Sequence, residues 1–230
     1  MRNGLNLSGK IAAKVIHIIL RTICKVDSTE LEKIPLKGPY IVAINHINFL
    51  EVPMIFTHLL PRKVVGIVKK ETWKGAFITW LANSWEAISV DRDGQTIETF
   101  RQSRKVLKNG YFLIIAPEGT RSKDGILRIG KPGVISIALR SKVPIIPVAH
   151  FGGIDIISNL KSLKRAKFTF KVGTPIILHP EGKADQEKRK YFTDQLMYRL
   201  AELLPEEYRG AYSNLDSKST KEIIEILWEE

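Results

Sequence analysis

Through the middle of the chain, short apolar runs alternate with helical patterns, and this alternation restricts the fold more than any other feature. Tyr40–Ile44 follows Gly38-Pro39, and 64–68, 87–90, 111–116, 143–149 and 168–172 are similar runs. Segments of this length, rich in Val, Ile and Phe and bounded by turn residues, read as buried strands. Helical patterns lie between them. The stretch 95–109 sets Ile97, Phe100, Arg104 and Leu107 on one side and stops at Gly110, a glycine suited to a helix C-terminus. The prediction is an α/β domain with a mixed or largely parallel sheet flanked by helices. At 230 residues the chain has enough apolar content for one such core and hardly enough for two.

Charge narrows the partners. Lys and Arg number 36 against 24 Asp and Glu, a net +12, which favours nucleic acid, a membrane surface or a phosphorylated substrate. The single cysteine, Cys24, excludes an internal disulfide and a multi-cysteine zinc site, so no metal is expected. The longest stretch without Asp, Glu, Lys or Arg is 13 residues, 38–50, short of the roughly 20 that a spanning helix needs. Lys14 and Arg21 interrupt the apolar N-terminal stretch, which argues against a signal peptide.

The excess is unevenly placed. Residues 1–26 carry five bases and no acid, while 205–230 carry seven acids against three bases. On a helix Lys10, Lys14, His17, Arg21 and Lys25 fall on one narrow stripe, and Ile11, Val15, Ile16, Ile18, Ile19, Leu20 and Ile23 make up much of the rest. Such a helix suits the interface of an anionic bilayer, and it equally suits packing on the protein's own core. Residues 214–230, with Ile223, Ile224, Ile226, Leu227 and Trp228, predict a short amphipathic helix docked on the domain. The chain then divides into a basic amphipathic helix (1–26), a central domain (27–204) and an acidic helical tail (205–230).

Three loops after predicted strands concentrate chemistry. Asn45-His46-Ile47-Asn48-Phe49-Leu50-Glu51 follows the first. Five residues apart, His46 and Glu51 would be separated by about 140° on a continuous helix. They meet only if His46 precedes the helix and Glu51 opens it, where the carboxylate could hold one imidazole nitrogen as N–H and leave the other to accept a proton. A loop histidine near an unrelated glutamate is the simpler alternative. Ala116-Pro117-Glu118-Gly119-Thr120-Arg121-Ser122 makes a tight loop whose Thr, Arg and Ser donors suit a phosphate, with Lys131 and Gly133 shortly after; an ordinary turn with a solvated arginine fits as well. In Asp91-Arg92-Asp93, Arg92 either pairs with its neighbouring acids or serves as a second guanidinium for a phosphate.

Together these blocks resemble the 1-acylglycerol-3-phosphate acyltransferase family, within the wider glycerolipid acyltransferases. NHINFLE matches its histidine and acid separated by four residues, AISVDRD its second block, APEGTRS its third and VPIIPVAH its fourth, all in order between Asn45 and His150. The resemblance implies a glycerolipid acyltransferase-like fold and transfer of a fatty acyl group from an acyl thioester to the sn-2 hydroxyl of lysophosphatidic acid, giving phosphatidic acid. It makes His46 the general base, Glu51 its orienting partner, and Arg92, Glu118, Gly119, Thr120, Arg121 and Lys131 the lining of the acceptor's phosphate pocket. Backbone amides of 45–48 or Gly119 are the candidates for oxyanion donors. It implies no bound cofactor, with acyl-CoA or acyl carrier protein as co-substrate and the cytoplasmic face of the membrane as the site of action. Two departures stand out: Glu51 where the family usually has aspartate, and Ala116 where phenylalanine is commoner.

An apolar groove for the acyl chain, or a membrane-facing surface, is expected along 71–85, where Trp73, Phe77, Trp80 and Leu81 follow helical spacing beside Lys69, Lys70 and Lys74. Core packing explains the same stripe. Glycerol 3-phosphate or another lipid alcohol remains an alternative acceptor. A nucleic-acid-binding protein lacks any recognised motif despite the charge, and a non-catalytic membrane adaptor is the third class.

Overall fold

A computed structural model describes residues 5–69, 75–90, 97–154 and 156–226, with the side chains of Lys69 and Phe77 excepted. In chain order the elements are α1 (Leu7–Ile23), β1 (Cys24–Asp27), β2 (Tyr40–Ile44), α2 (Glu51–Leu59), β3 (Val64–Lys69), α3 (Ala76–Ser84), β4 (Ile88–Val90) and α4 (Ile97–Lys108). They continue with β5 (Phe112–Ile115), α5 (Gly133–Ser141), β6 (Ile145–Gly152), α6 (Ile156–Lys161), β7 (Ala166–Val172), β8 (Ile176–Leu178), α7 (Gln186–Glu202) and β9 (Ile223–Glu225).

The strands form one mixed sheet in the order β1-β7-β6-β2-β5-β3-β4, with β8 on β6 and β9 on β8. Its centre is parallel: β2 lies between β5 and β6, with Ala43 opposite Ile115 on one side and Pro147 on the other. β7 runs antiparallel to β6, Val148 facing Val172. Period-two alternation gives each strand two apolar faces. Val42, Ile44, Phe112, Ile114, Ile146 and Val148 pack with Met54, Ile55 and Leu59 of α2 and Ala13 and Leu20 of α1. Ile41, Ala43, Leu113 and Ile145 pack with Val106 and Leu107 of α4, Val134, Ile135 and Ala138 of α5, and Phe192 and Leu196 of α7. A sheet covered on both faces needs strands that are apolar throughout, which is why these runs read as continuous hydrophobic segments.

Four expectations change. The buried face of α4 is Thr99, Ser103, Val106 and Leu107, so of the expected face Leu107 is buried and Phe100 packs against the core, while Ile97 is 90% exposed. The residues 214–230 do not form a helix where described: a short 3-10 turn at Leu215–Ser217 leads to β9, whose Ile223 and Ile224 pair with Leu178 and Ile177. Successive β-branched isoleucines fit a strand on an open sheet edge better than a helix. The boundary drawn at residue 26 falls inside β1, which pairs with β7, and the tail from 205 supplies β9 to the same sheet. Both ends are thus built into the central domain.

The N-terminal helix packs on the core with one face and leaves another exposed. Gly9, Ala13, Ile16 and Leu20 turn inward, and a Cβ on Gly9 would meet the Ser84 carbonyl at 3.1 Å, so glycine permits the close approach to α3. Leu7, Ile11, Val15, Ile18 and Ile19 form an exposed apolar stripe, with exposed Lys10, Lys14 and Arg21 along its border. No described helix is long and apolar enough to cross a membrane.

Candidate active site

The central strands β6, β2 and β5 carry one set of polar residues just past or within their C-terminal ends. On β2 the face that packs on α2 runs Val42, Ile44 and continues to His46; on β6 it runs Ile146, Val148, His150. Beyond β5, after Phe112 and Ile114, the loop brings in Glu118. Glu51 is the first residue of α2 on that same face. His46 therefore precedes the helix and Glu51 opens it, the only arrangement in which their five-residue spacing permits contact.

Glu51 is buried, takes part in three hydrogen bonds and has a second imidazole beside it. Oε1 is hydrogen bonded to His46 Nδ1, and Oε2 accepts from the backbone N–H groups of Ile47 at 2.8 Å and Asn48 at 3.0 Å, with His150 Nε2 at 2.9 Å. The helix N-terminus adds a favourable dipole to this anionic position. Asn48 Oδ1 accepts from Leu50 N–H at 2.9 Å, which shapes the loop into the helix.

His150 is fully buried, and burial pushes its pKa down to about 4, so the ring is neutral. Nε2 faces Glu51 Oε2 and, at 3.1 Å, the Asn45 carbonyl. With acceptors on both sides, Nε2 must carry the ring's proton; Nδ1 is buried with no hydrogen-bond partner among the described residues, as suits a bare lone pair near Phe168 and Phe170. The Asn45 side chain completes a two-way clasp, donating to the His150 carbonyl at 2.9 Å and accepting from its N–H at 2.8 Å.

Glu118 lies elsewhere than the phosphate-lining position expected of it. It is 1% exposed. Oε1 accepts from His46 N–H at 2.7 Å and Oε2 from Arg128 N–H at 2.9 Å, so the side chain braces the two loops that flank the site. Burial pushes its pKa up to about 7 against the opposing pull of those two bonds. Ser122 N–H donates to the His46 carbonyl at 2.7 Å, so the loop holds both backbone groups of His46. Of the amides considered as oxyanion donors, four are occupied: His46 by Glu118, Ile47 and Asn48 by Glu51, and Gly119 by the Ala116 carbonyl at 3.1 Å.

Around this centre Thr120, Arg121 and Lys131 are exposed. Gly119 adopts φ +65°, and a Cβ there would meet Lys131 Cδ at 3.1 Å, which places the lysine side chain beside the loop. Arg121, Arg128 and Lys131 have no ion-pair partner among the described residues. Trp80 is exposed on α3. Arg92, Trp73 and the Phe77 side chain lie outside the described residues, and so do the expectations placed on them.

Asn45, His150 and Arg128 received no individual role from sequence. For His150 a signal existed: a histidine continuing the Ile146, Val148 face is a polar residue in an otherwise apolar alternation, in register with the extension of β2 that carries His46. Arg128 contributes through its backbone, which no side-chain pattern reveals.

Comparison with known proteins bears on the family and the fold. The acyltransferase family model matches residues 25–150, over half the chain. The 1-acyl-sn-glycerol-3-phosphate acyltransferase of Bacillus subtilis (strain 168) is 26% identical over 84% of this chain and 96% of its own length. The protein of the same name from Cocos nucifera is 30% identical over 93% of this chain and 68% of its own. The crystal structure of the 1-acyl-sn-glycerophosphate acyltransferase from Thermotoga maritima shares the fold, with TM-score 0.64, 24% identity, and coverage of 85% of this chain and 80% of that one. A model match over residues 25–150, a relative at 30% identity over 93% of this chain and the shared fold all agree: the chain belongs to the acyltransferase family.

Proposed function

We propose that this acyltransferase moves a fatty acyl group from an acyl thioester to the free sn-2 hydroxyl of lysophosphatidic acid, forming phosphatidic acid. The observation that carries the reading is the Glu51 carboxylate bound to Nδ1 of a partly exposed His46 at the ends of the central strands. Holding Nδ1 as N–H makes Nε2 the proton acceptor. As the acceptor hydroxyl loses its proton to Nε2, its oxygen attacks the thioester carbonyl. Collapse of the tetrahedral intermediate breaks the C–S bond, and the proton on His46 passes to the departing thiolate. Such a base contributes on the order of 10²- to 10⁴-fold, and positioning supplies much of the rest. Exposed Arg121, Arg128 and Lys131 around the loop suit the acceptor's phosphate. The relatives' names support lysophosphatidic acid over other acceptors, and either acyl-CoA or acyl carrier protein fits as donor. No step calls for a cofactor.

The reading places the enzyme on the cytoplasmic, anionic face of a membrane. The exposed apolar stripe of α1 and its bordering cations support this. So does the turn after α6, where Leu163 is 97% exposed at φ +54° among Lys161, Lys164 and Arg165. The Arg165 guanidinium donates to the Arg21 and Cys24 carbonyls, both at 2.5 Å, tying this turn to the end of α1.

Incubating the protein with palmitoyl-CoA or palmitoyl-acyl carrier protein and, in turn, lysophosphatidic acid, glycerol 3-phosphate or lysophosphatidylcholine tests the reading. Phosphatidic acid as the preferred product supports it, and thioester consumption confined to another acceptor overturns it.

A further inference from the structure

Glu51 and His150 are two departures from a minimal histidine–carboxylate pair, and each accounts for the other. A carboxylate at the first position of α2 could orient His46 with one oxygen alone. The longer glutamate side chain carries its second oxygen deeper, where two backbone N–H groups and the imidazole of His150 receive it. His150 brings a third attachment from a different strand, since its own backbone is locked to the Asn45 side chain across the β2–β6 boundary. The rotation of a carboxylate about its last bond exchanges its two oxygens. A donor fixed on Oε2 and anchored in the sheet prevents that exchange and leaves Oε1 committed to His46 Nδ1.

We propose that His150 is a positioning residue for the reaction: its Nε2–H, shared between the Asn45 carbonyl at 3.1 Å and Glu51 Oε2 at 2.9 Å, ties the carboxylate to the strand end beside His46 and so fixes the orientation of the His46 ring. The inference rests on the reading of His46 and Glu51 as base and orienting partner. His150 has no exposed surface, so its effect passes through Glu51 and through the Asn45 carbonyl beside His46.

The test compares His150→Gln, whose amide nitrogen reaches the place of Nε2, with His150→Asn, whose amide falls short of it. Both keep a buried polar side chain, and melting curves select the temperature at which all proteins are folded. The imidazole N–H proton of His46 hydrogen bonded to Glu51, identified by its disappearance in His46→Ala, is followed by proton NMR, and kcat and KM are measured with palmitoyl-CoA and lysophosphatidic acid. In His150→Asn the resonance should move upfield or broaden by exchange, and kcat should fall about 10- to 100-fold, the range seen when a group orienting a catalytic ligand is lost, with KM nearly unchanged. His150→Gln should restore most of both. Equal resonances and equal kcat in all three proteins overturn the inference, as does a Gln variant no better than Asn. An active His46→Ala instead removes the underlying reading of the base, whatever the resonances show.

Discussion

The backbone N–H of His46 donates to Glu118 Oε1 at 2.7 Å, across 72 residues of sequence. With the other oxygen on Arg128 N–H, one buried carboxylate sets the position of the loop carrying the base. Glu118→Gln keeps the size but can accept at only one of the two places, and its NH₂ faces a backbone N–H at the other. A buried donor left without an acceptor costs about 1–3 kcal/mol. The variant should melt several degrees lower and lose at least about tenfold in kcat, read by calorimetry and by acyl transfer. Unchanged values of both would mean that Glu118 does not brace His46.

Two buried groups of the site, Glu118 and His150, set opposing pH dependences. Glu118, raised from its ordinary 4.5 to about 7, favours the folded state at low pH and loses that stability as pH rises between about 4.5 and 7. His150, lowered from 6.5 to about 4, acts in the other direction, because the unfolded chain binds its proton first and stability falls as pH drops from about 6.5 to 4. Each contribution is on the order of 3 kcal/mol, and in the wild type they nearly cancel. Relative to wild type, His150→Gln should therefore become progressively less stable from pH 4.5 to 6.5, measured by urea titration. Parallel stability curves for the two proteins would contradict these shifts.

Glu51→Gln is predicted to be more damaging than a simple loss of charge. Three hydrogen bonds converge on the carboxylate, with His150 Nε2 2.9 Å from Oε2, and a single amide oxygen cannot serve both sides. A kcat loss of at least about 10²-fold, with a lower melting temperature, is expected from turnover assays and thermal denaturation. A stable Glu51→Gln with wild-type turnover would separate Glu51 from the base.

Most of the sheet was legible because burial on both faces forces long apolar runs. The strands missed, β1, β8 and β9, have three or four residues and lie at the periphery. They are too short for a period to show and owe their conformation to a neighbouring strand. The site was legible where one local segment supplies both partners, as with His46 and Glu51. It was not where partners come from distant strands. Glu118 looks like a loop residue for ligand contact until the fold shows that its oxygens go to His46 and Arg128, and His150 gains meaning only through the β2–β6 register.

Membrane attachment should depend on the outer face of α1 and on the turn after α6. Ile11→Glu with Ile18→Glu changes exposed positions only, so the fold should persist while binding to vesicles rich in phosphatidylglycerol falls at least about tenfold. Leu163→Glu should weaken binding several-fold by itself. Raising the salt should release the wild type, since each cation near an anionic surface contributes about 1 kcal/mol. Flotation or sedimentation with vesicles reads all three, and undiminished binding of both variants would assign attachment to another surface.

The central claim is that His46 removes the proton from the acceptor hydroxyl. The most direct measurement is the rate of phosphatidic acid formation from palmitoyl-CoA and lysophosphatidic acid by His46→Ala, on protein whose melting curve shows it to be folded. The account predicts a loss of at least about 10²-fold in kcat with lysophosphatidic acid still bound. A folded His46→Ala that forms phosphatidic acid at the wild-type rate would contradict it.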